Sequence, residues 1–415
     1  MTSLWKHWLN ICKRCPTKPV VVDAESNRAW TADQLISEAE KLAGNLRGPV
    51  VPICKPNGAG WFAAFLAIQK HGLTALPLES ALPRATLRKT VRLIAARVKP
   101  NARCVKLTSG TTGEIKPVFC SAENLVADGI QICRTMGIRT GDVNLAVIPL
   151  GHSYGLGNLV MPLLLQGTEV ICATTFLPRH ILHLINKYKV TVLPTVPAIL
   201  SALAQIDGAA KPSSLRLVIS AGAPLSAEVA QRFHARYGIK IHNFYGSSET
   251  GGICYDRTGN ATLSGRSVGK PVAGVKVHIR KDGRVAVRSR AGNATLPDLG
   301  EWNRHGELRL LGRVGQVANI GGKKVAPLEI ERVLRSLRGV RDVWVTVLKD
   351  KRENDFLAAA VETQRTRHGI ELELEQTLPA WKLPKTLLLS DSLPRSDRGK
   401  LQTEELKARL SVSRP

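Results

Sequence analysis

The sequence predicts an α/β protein: a large N-terminal domain of mixed and parallel sheets flanked by helices, with a small β subdomain, then a smaller α+β C-terminal domain. Three observations predict it. Apolar runs of strand length alternate with helix-spaced stretches from about Val20 to Tyr245. From Ser267 to Arg290 the runs shorten and are broken by Gly, Pro and Asp. After Gly312-Arg313 a helix-like stretch is followed by an alternating, half-buried run. A chain of 415 residues is long enough for more than one domain and a sizeable core.

Leu4, Trp5, Trp8, Leu9 and Cys12 fall on one face of a first helix, expected to pack on its own domain rather than on a membrane. Strands are expected at Val20–Val22, Val50–Cys54, Leu73–Leu78, Val143–Ile148, Glu169–Cys172, Val190–Leu193, Leu215–Ile219 and Ile239–Phe244. Helices are expected at Thr31–Leu46, Gly60–Lys70, Ala122–Thr135, Arg179–Asn186, Val196–Ala204 and Ser226–Tyr237. Several open after Thr or Ser, which cap the first turn, or after Pro, which has no N–H to leave unsatisfied. Strands joined through helices pair in parallel, and ligands then gather in the loops beyond the strand ends. Beyond Arg313, Glu329–Leu337 reads as a helix and Val340–Leu348 as a strand, with Phe356–Val361 and Thr386–Leu389 as its partners.

The net charge of +26, from 59 Lys+Arg against 33 Asp+Glu, implies attraction to polyanions. ATP, coenzyme A, an acidic acyl carrier protein and nucleic acid all qualify. Nucleic acid is not the expected partner, because the chain has no zinc finger, RNP-type aromatic motif or basic tail. The densest basic run, Arg84–Lys106, holds eight Lys/Arg and no acid. It reads as a solvated helix face leading into the motif described next. No apolar run reaches membrane-span length, and Leu159–Leu165 is short and contains a proline. The start of the chain has no secretory apolar stretch. The eight cysteines are mostly singletons in apolar stretches, such as Cys54, Cys120, Cys172 and Cys254. Reduced, buried thiols and a cytoplasmic location are expected. Cys12 and Cys15 have metal-like spacing but no second pair, so a zinc site is not expected there.

The chain is organised around Leu107–Val118, which packs Thr108, Ser109, Gly110, Thr111, Thr112 and Gly113 together, with Lys116 three residues on. Val105 and Leu107 before it suggest a strand, so the run reads as a loop leaving a sheet. Glycines let the backbone approach a ligand, N–H and hydroxyl groups donate to phosphate oxygens, and a lysine adds charge. It is not a Walker loop, since no Gly-x4-Gly-Lys-Ser/Thr occurs in the chain.

Four further stretches follow in order: Gly151–Gly155 (Gly-His-Ser-Tyr-Gly), Tyr245–Gly251 (Tyr-Gly-Ser-Ser-Glu-Thr-Gly), Asp298-Leu299-Gly300 leading to Gly312-Arg313, and Pro394–Lys400 (Pro-Arg-Ser-Asp-Arg-Gly-Lys). Together with the hydroxyl-rich loop these resemble the adenylate-forming superfamily of acyl- and aryl-CoA ligases, peptide-synthetase adenylation domains and luciferases. The resemblance covers nearly the whole chain. It implies an AMP-binding domain over 1–312 and a mobile domain over 313–415, hinged near 313–316. It also implies an ATP-dependent acid–thiol ligase: a small carboxylic acid, fatty or aryl, is activated as an acyl-adenylate with release of pyrophosphate. The acyl group then passes to a phosphopantetheine thiol of coenzyme A or an acyl carrier protein.

By the same resemblance, Thr108–Gly113 and Lys116 hold the β- and γ-phosphates, and Glu249 binds Mg²⁺. Tyr245 lies on the adenine, Gly246, Ser247 and Ser248 lead into the Glu249 turn, and Gly222 and Ala223 belong to the small-residue turn beside the base. Asp298 accepts from the ribose hydroxyls, Arg313 assists at the ribose or phosphate, and Lys400 bridges the α-phosphate and the acid. His152 borders the acyl pocket, or is an ordinary core histidine. Gly321–Val325 resembles the loop lining the pantetheine tunnel. No Asp sits in Gly151–Gly155 to meet an amino acid's ammonium, so the acid is expected to be uncharged apart from its carboxylate. The Gly251-Gly252 pair is expected to leave room for a longer acyl chain. Departures from the family pattern are a shorter chain before the phosphate loop and around Gly292–Leu296, Ile115 and Pro117, and Gly315 at the hinge. The trimmed loops and Gly315 leave one rival standing, an enzyme that makes the adenylate and stops, and the net charge alone leaves another, a catalytically lapsed basic polyanion- or nucleic-acid-binding protein.

Overall fold

A nine-stranded sheet lies at the centre of the N-terminal part. Its order is Lys270–Pro271, Gly251–Tyr255, Ile241–Ser247, Leu217–Ser220, Val192–Thr195, Val143–Ala146, Glu169–Cys172, Pro19–Asp23, Arg28–Thr31. The inner strands pair in parallel and only the edges are antiparallel. The computed structural model describes residues 4–80, 82–109, 115–206, 212–314, 318–320, 323–350, 354–395 and 401–412. By internal contacts the chain divides into Met1–Val277 with Val287–Ala294, and His278–Ala286 with Thr295–Pro415.

Local chemistry accounts for the helices of the first unit. Thr31 and Ser121 open helices Ala32–Ala43 and Ala122–Met136 with reciprocal capping boxes to Gln34 and Asn124. Ser226 caps Ala227–Tyr237 through Val229 N–H, and Pro178 and Pro197 start Pro178–Lys187 and Pro197–Leu203. Ile181, Ile185, Leu200, Phe233 and Tyr237 of these helices pack on Leu145, Ile171, Leu193, Val218 and Ile241 of the sheet. Each such side chain stabilises the fold by about 1.5–3 kcal/mol relative to exposure.

A second sheet, in the order Val50–Ile53, Thr74–Pro77, Ala102–Ser109, Ile115–Ser121, belongs to the same unit. Asp23 ties its helix to the central sheet, accepting from Ala59 N–H at 2.9 Å and Trp30 Nε1 at 2.9 Å. Here the expected loop leaving a sheet is a hairpin: Ile115–Ser121 returns antiparallel to Ala102–Ser109, with Lys116 opposite Thr108. The expected first helix, Leu4–Arg14, buries Leu4, Trp8, Ile11 and Cys12, but Leu9 is exposed and Trp5 only half-buried. Ile11, not Leu9, completes the buried stripe. Among the described residues no helix is long and apolar enough to cross a membrane.

Lys276–Ile279, Arg284–Arg288, Asn293–Trp302 and Leu308–Arg313 form a four-stranded sheet, so the small β region reaches to Arg313 rather than Arg290. Val340–Lys349, Asp355–Thr363 and Thr386–Ser390 form a three-stranded sheet covered on both faces. Leu357, Ala359 and Val361 pack on helices Pro327–Ser336 and Arg367–Thr377, while Phe356, Ala358 and Ala360 pack on Thr403–Val412. This alternation is the period of two of a strand buried on both faces. Arg395 is fastened to this sheet by Asp342 at 2.5 Å and Glu362 at 3.4 Å. Glu362 also accepts from Leu393 N–H, and Gln402 bonds back to the carbonyls of Pro394 and Arg395. Both flanks of 396–400 are thereby held.

Cys12, Cys104, Cys120, Cys133, Cys172 and Cys254 are buried, whereas Cys15 and Cys54 are half-buried, Cys54 against expectation. Burial pushes the Cys12 thiol up to about 11 and Cys133 up to about 12. At pH 8 a thiol reagent should label Cys15 and Cys54 first in the native protein and all eight thiols in guanidinium; fast native labelling of the other six would contradict the packing. Asp342→Ala leaves the half-buried guanidinium of Arg395 with the longer Glu362 contact, also removes a partner of Arg335, and should lower unfolding stability by about 1–3 kcal/mol. A urea midpoint unchanged from wild type would show that the pair contributes nothing.

Candidate active site

The Glu249 turn joins Ile241–Ser247 to Gly251–Tyr255, just past the strand ends of the central sheet. It is a locked turn. Ser247 Oγ accepts from Thr250 N–H at 3.2 Å and lies 3.1 Å from Thr250 Oγ1. Gly251 has φ +71°, a left-handed conformation that a side chain would strain. Gly292 packs so closely that a Cβ there would lie 2.1 Å from the Glu249 carbonyl. The Glu249 side chain itself is exposed. A carboxylate on a fixed backbone and open to solvent suits a hard cation. Among the described residues no three His, Cys, Asp or Glu side chains form a closed metal site. A cation at Glu249 would therefore complete its shell with water or phosphate oxygens.

The His152 segment meets this turn. Ser153 Oγ lies 2.7 Å from Ser248 Oγ. His152 precedes helix Ser153–Gly155, and its Nδ1 accepts from Tyr154 N–H at 3.4 Å. The imidazole is thus partly used as a cap. Tyr154 is buried and fully bonded: its hydroxyl donates to the Ile219 carbonyl at 3.0 Å and accepts from Thr195 N–H at 3.1 Å. Asn57 holds the approach, donating to the carbonyls of Ala146 and Ile148 and accepting from Leu150 N–H.

Gly222 and Ala223 are exposed just past Leu217–Ser220, with Gly222 at φ +87°. Tyr245 is half-buried in Ile241–Ser247, Gly246 is exposed, and Ser247 and Ser248 are half-buried. A Cβ at Gly246 would lie 2.8 Å from the Gly251 carbonyl, so glycine is required where the strands of this hairpin approach. Thr195 Oγ1 and Ser220 Oγ, opposite each other on adjacent strands, are buried without a hydrogen-bond partner among the described residues. Unspent hydroxyls at parallel strand ends fit a site built for a polar ligand.

Lys116 is exposed opposite Thr108 on the hairpin. Thr108 and Ser109 are described only as the end of strand Ala102–Ser109. Gly110, Thr111, Thr112 and Gly113 lie outside the described residues, as do Gly315, the Gly321-Gly322 pair and Lys400. Within the second unit, Asp298 and Arg313 sit opposite each other on paired strands, and Arg313 Nε donates to Asp298 Oδ1 at 3.0 Å.

Sequence reasoning missed Lys106 and Asp128, which are 5% and 3% exposed. Asp128, on helix Ala122–Met136, accepts from Gly252 N–H at 2.9 Å. Burial alone would lower Lys106, but Cys120, Asp128, Cys104 and Glu249 outweigh it and hold the ammonium above its usual range. Burial pushes the Asp128 carboxyl up, opposed by Lys106 and the Gly252 N–H. An Asp inside a helical period carries no local signal. Lys106 was visible only as one more member of the basic run.

Residues 95–293 match the family model of the AMP-binding enzymes. A 3-[(3aS,4S,7aS)-7a-methyl-1,5-dioxo-octahydro-1H-inden-4-yl]propanoyl:CoA ligase of Mycobacterium tuberculosis is 27% identical over 75% of this chain and 68% of its own length. The peroxisomal OPC-8:0-CoA ligase 1 of Arabidopsis thaliana is 29% identical over 72% of this chain, which spans 62% of that protein. The fold matches ATP-bound MatB from Rhodopseudomonas palustris with a TM-score of 0.86 at 21% identity over 98% of both chains. It matches AMP-bound O-succinylbenzoate coenzyme A synthetase from Bacillus subtilis with a TM-score of 0.84 at 20% identity, again over 98% of both. Residues 95–293, which carry the hydroxyl-rich stretch and the Glu249 turn, are thus an AMP-binding enzyme domain by family match, and the chain has the fold of the ATP- and AMP-bound ligases it resembles.

Proposed function

We infer that this protein is an AMP-forming acid–thiol ligase. The acid's carboxylate attacks the α-phosphate of ATP, and pyrophosphate leaves. A thiol then attacks the acyl carbon, and AMP leaves. The relatives reported above are named as CoA ligases, and coenzyme A is the acceptor this supports. An acyl carrier protein presents the same thiol, and the charge of +26 suits its acidic surface. The observation that carries the reading is the Glu249 carboxylate, exposed on a turn whose backbone is fixed by Ser247, Thr250 and Gly292 and which meets the His152 segment at Ser248.

The roles of the chain's residues follow from what the first step requires. Phosphoryl-type displacement needs charge neutralised and the reactants aligned, with no covalent help from protein. Thr108–Gly113 and Lys116 are proposed to bind the β- and γ-phosphates, and Tyr245 with Gly222 and Ala223 the adenine. Asp298 and Arg313 are proposed to bind the ribose, and Lys400 the α-phosphate with the acid. Mg²⁺, held by Glu249, would neutralise phosphate charge. His152, capping its helix through Nδ1, is proposed to shape the acyl site rather than transfer a proton. The hinge at 313–316 is proposed to let the C-terminal domain turn between the two steps.

Pyrophosphate release and thioester formation should both appear with ATP, Mg²⁺, coenzyme A and a panel of short aliphatic and aryl acids. Glu249→Gln and Lys400→Ala should each lower pyrophosphate release by about 10²–10³. Adenylate accumulating with no thioester on coenzyme A or a carrier protein would establish the one-step rival. No release with any acid, alongside tight nucleic-acid binding at physiological salt, would replace the enzyme reading altogether.

A further inference from the structure

The Gly251-Gly252 pair does not border open space. A Cβ at Gly251 would lie 2.2 Å from Asp128 Oδ1, and one at Gly252 would lie 2.9 Å from the Phe244 ring and 3.5 Å from Ile132. The room expected from two glycines is already filled by neighbours. Asp128 also reaches across to Leu156–Val160, the helical turn that continues directly from Ser153–Gly155: a Cβ at Gly157 would lie 3.3 Å from its Oδ2. One carboxylate therefore stands between the strand leaving the Glu249 turn and the His152 helix. The same two elements touch at Ser153 and Ser248, 2.7 Å apart. Gly157 is about one helical turn, roughly 5 Å, beyond Ser153. An acid whose carboxylate is held beside the Glu249 turn and whose tail runs between these elements meets Asp128 after a few carbons.

The wall is chemical as well as steric. Asp128 is bonded to Gly252 N–H, and Lys106, on the strand that ends at the phosphate loop, supplies its counter-charge in the interior. Asp128 is one of the groups that offset the buried Lys106 ammonium. An alkyl chain that pushed Asp128 aside would strand that buried ammonium and break the bond to Gly252. Hydrocarbon tails are rejected by such an arrangement where a wall of Leu or Val would yield.

We propose that Asp128, backed by Lys106, Phe244 and Ile132, is the end wall of the acyl pocket and restricts this enzyme to short acids, from small aliphatic acids up to about the length of benzoate. The proposal rests on the ligase reading. Its test is ATP–pyrophosphate exchange with butyrate, benzoate, octanoate and dodecanoate. In the wild type kcat/KM should fall by at least about 100-fold from butyrate to dodecanoate. Asp128→Ala should raise the dodecanoate-to-butyrate ratio by about 10-fold or more, whereas Asp128→Asn, which keeps the volume and an acceptor for Gly252 but not the charge that offsets Lys106, should raise it less. Because Asp128→Ala removes part of the charge that offsets Lys106, the double variant Lys106→Met/Asp128→Ala is measured beside it and should shift the ratio the same way. Equal use of dodecanoate and butyrate by the wild type, or a ratio unmoved in both Ala variants, would overturn the wall. If no acid drives exchange, the ligase reading has failed, and calorimetry with butyryl- and dodecanoyl-sulfamoyladenosine judges the wall alone. Tighter binding of the butyryl compound supports it, and equal binding overturns it.

Discussion

The phenolic hydroxyl of Tyr154 fixes the site to the fold. It is buried, donates to the carbonyl of Ile219 and accepts from the N–H of Thr195. These two groups lie on neighbouring parallel strands at the ends where ligands collect. The bonds set the position of the His152 helix against the sheet. The Ser153–Ser248 contact then carries that position to the Glu249 turn, and Asp128 carries it on to Gly252. Removing the hydroxyl would leave two buried backbone groups unpaired, at about 1–3 kcal/mol each. The site is thus placed by polar contacts inside the first unit, and its exposed residues inherit that placement.

Most of the architecture was legible in the sequence because its signals are local. Thr31, Ser121 and Ser226 announce helices by capping them, and Val192, Leu217 and Ile241 sit in short apolar runs that only a buried parallel strand explains. The strands begin about two residues later than their apolar runs, since Val190 and Leu215 pack into the core from the preceding loops. The return strand Ile115–Ser121 was not legible. Pro117 and Lys116 spoil its alternation, and its pairing is set by the partner strand rather than by its own composition.

The candidate site was legible to a different degree at each residue. Ser247, Glu249 and Gly251 form a turn whose chemistry can be read from the letters, because the Ser-to-Thr bond and the positive φ are properties of a few consecutive residues. Asp298 and Arg313 were named separately, and only the strand register makes them a pair. Lys106 and Asp128 meet through tertiary packing alone. The basic run Arg84–Lys106 supports this: Arg84, Arg88 and Lys89 lie on the solvated face of helix Arg84–Ala95, while Lys106, at the end of the same run, is buried. Counting charges along the sequence cannot separate these two fates.

Glycine is the residue whose letter says least about its surroundings. Gly251-Gly252 is compatible with an open tunnel, where a missing side chain leaves space, and with a crowded contact, where a missing side chain lets a neighbour in. The two cases give opposite substrate classes. Distances to an added Cβ decide between them, and here they fall to 2.2 Å against Asp128 and 2.9 Å against Phe244. A neighbour that is a buried carboxylate decides further. Apolar walls can be moved by repacking at modest cost, but a carboxylate that holds a backbone N–H and offsets a buried ammonium cannot leave without exposing two unmet polar demands at once. Asp128 and Phe244, which fill the space behind the glycines, therefore also stiffen the strand that leaves the Glu249 turn. On this fold the length of the acyl site and the rigidity of the proposed metal ligand are set by one packing arrangement.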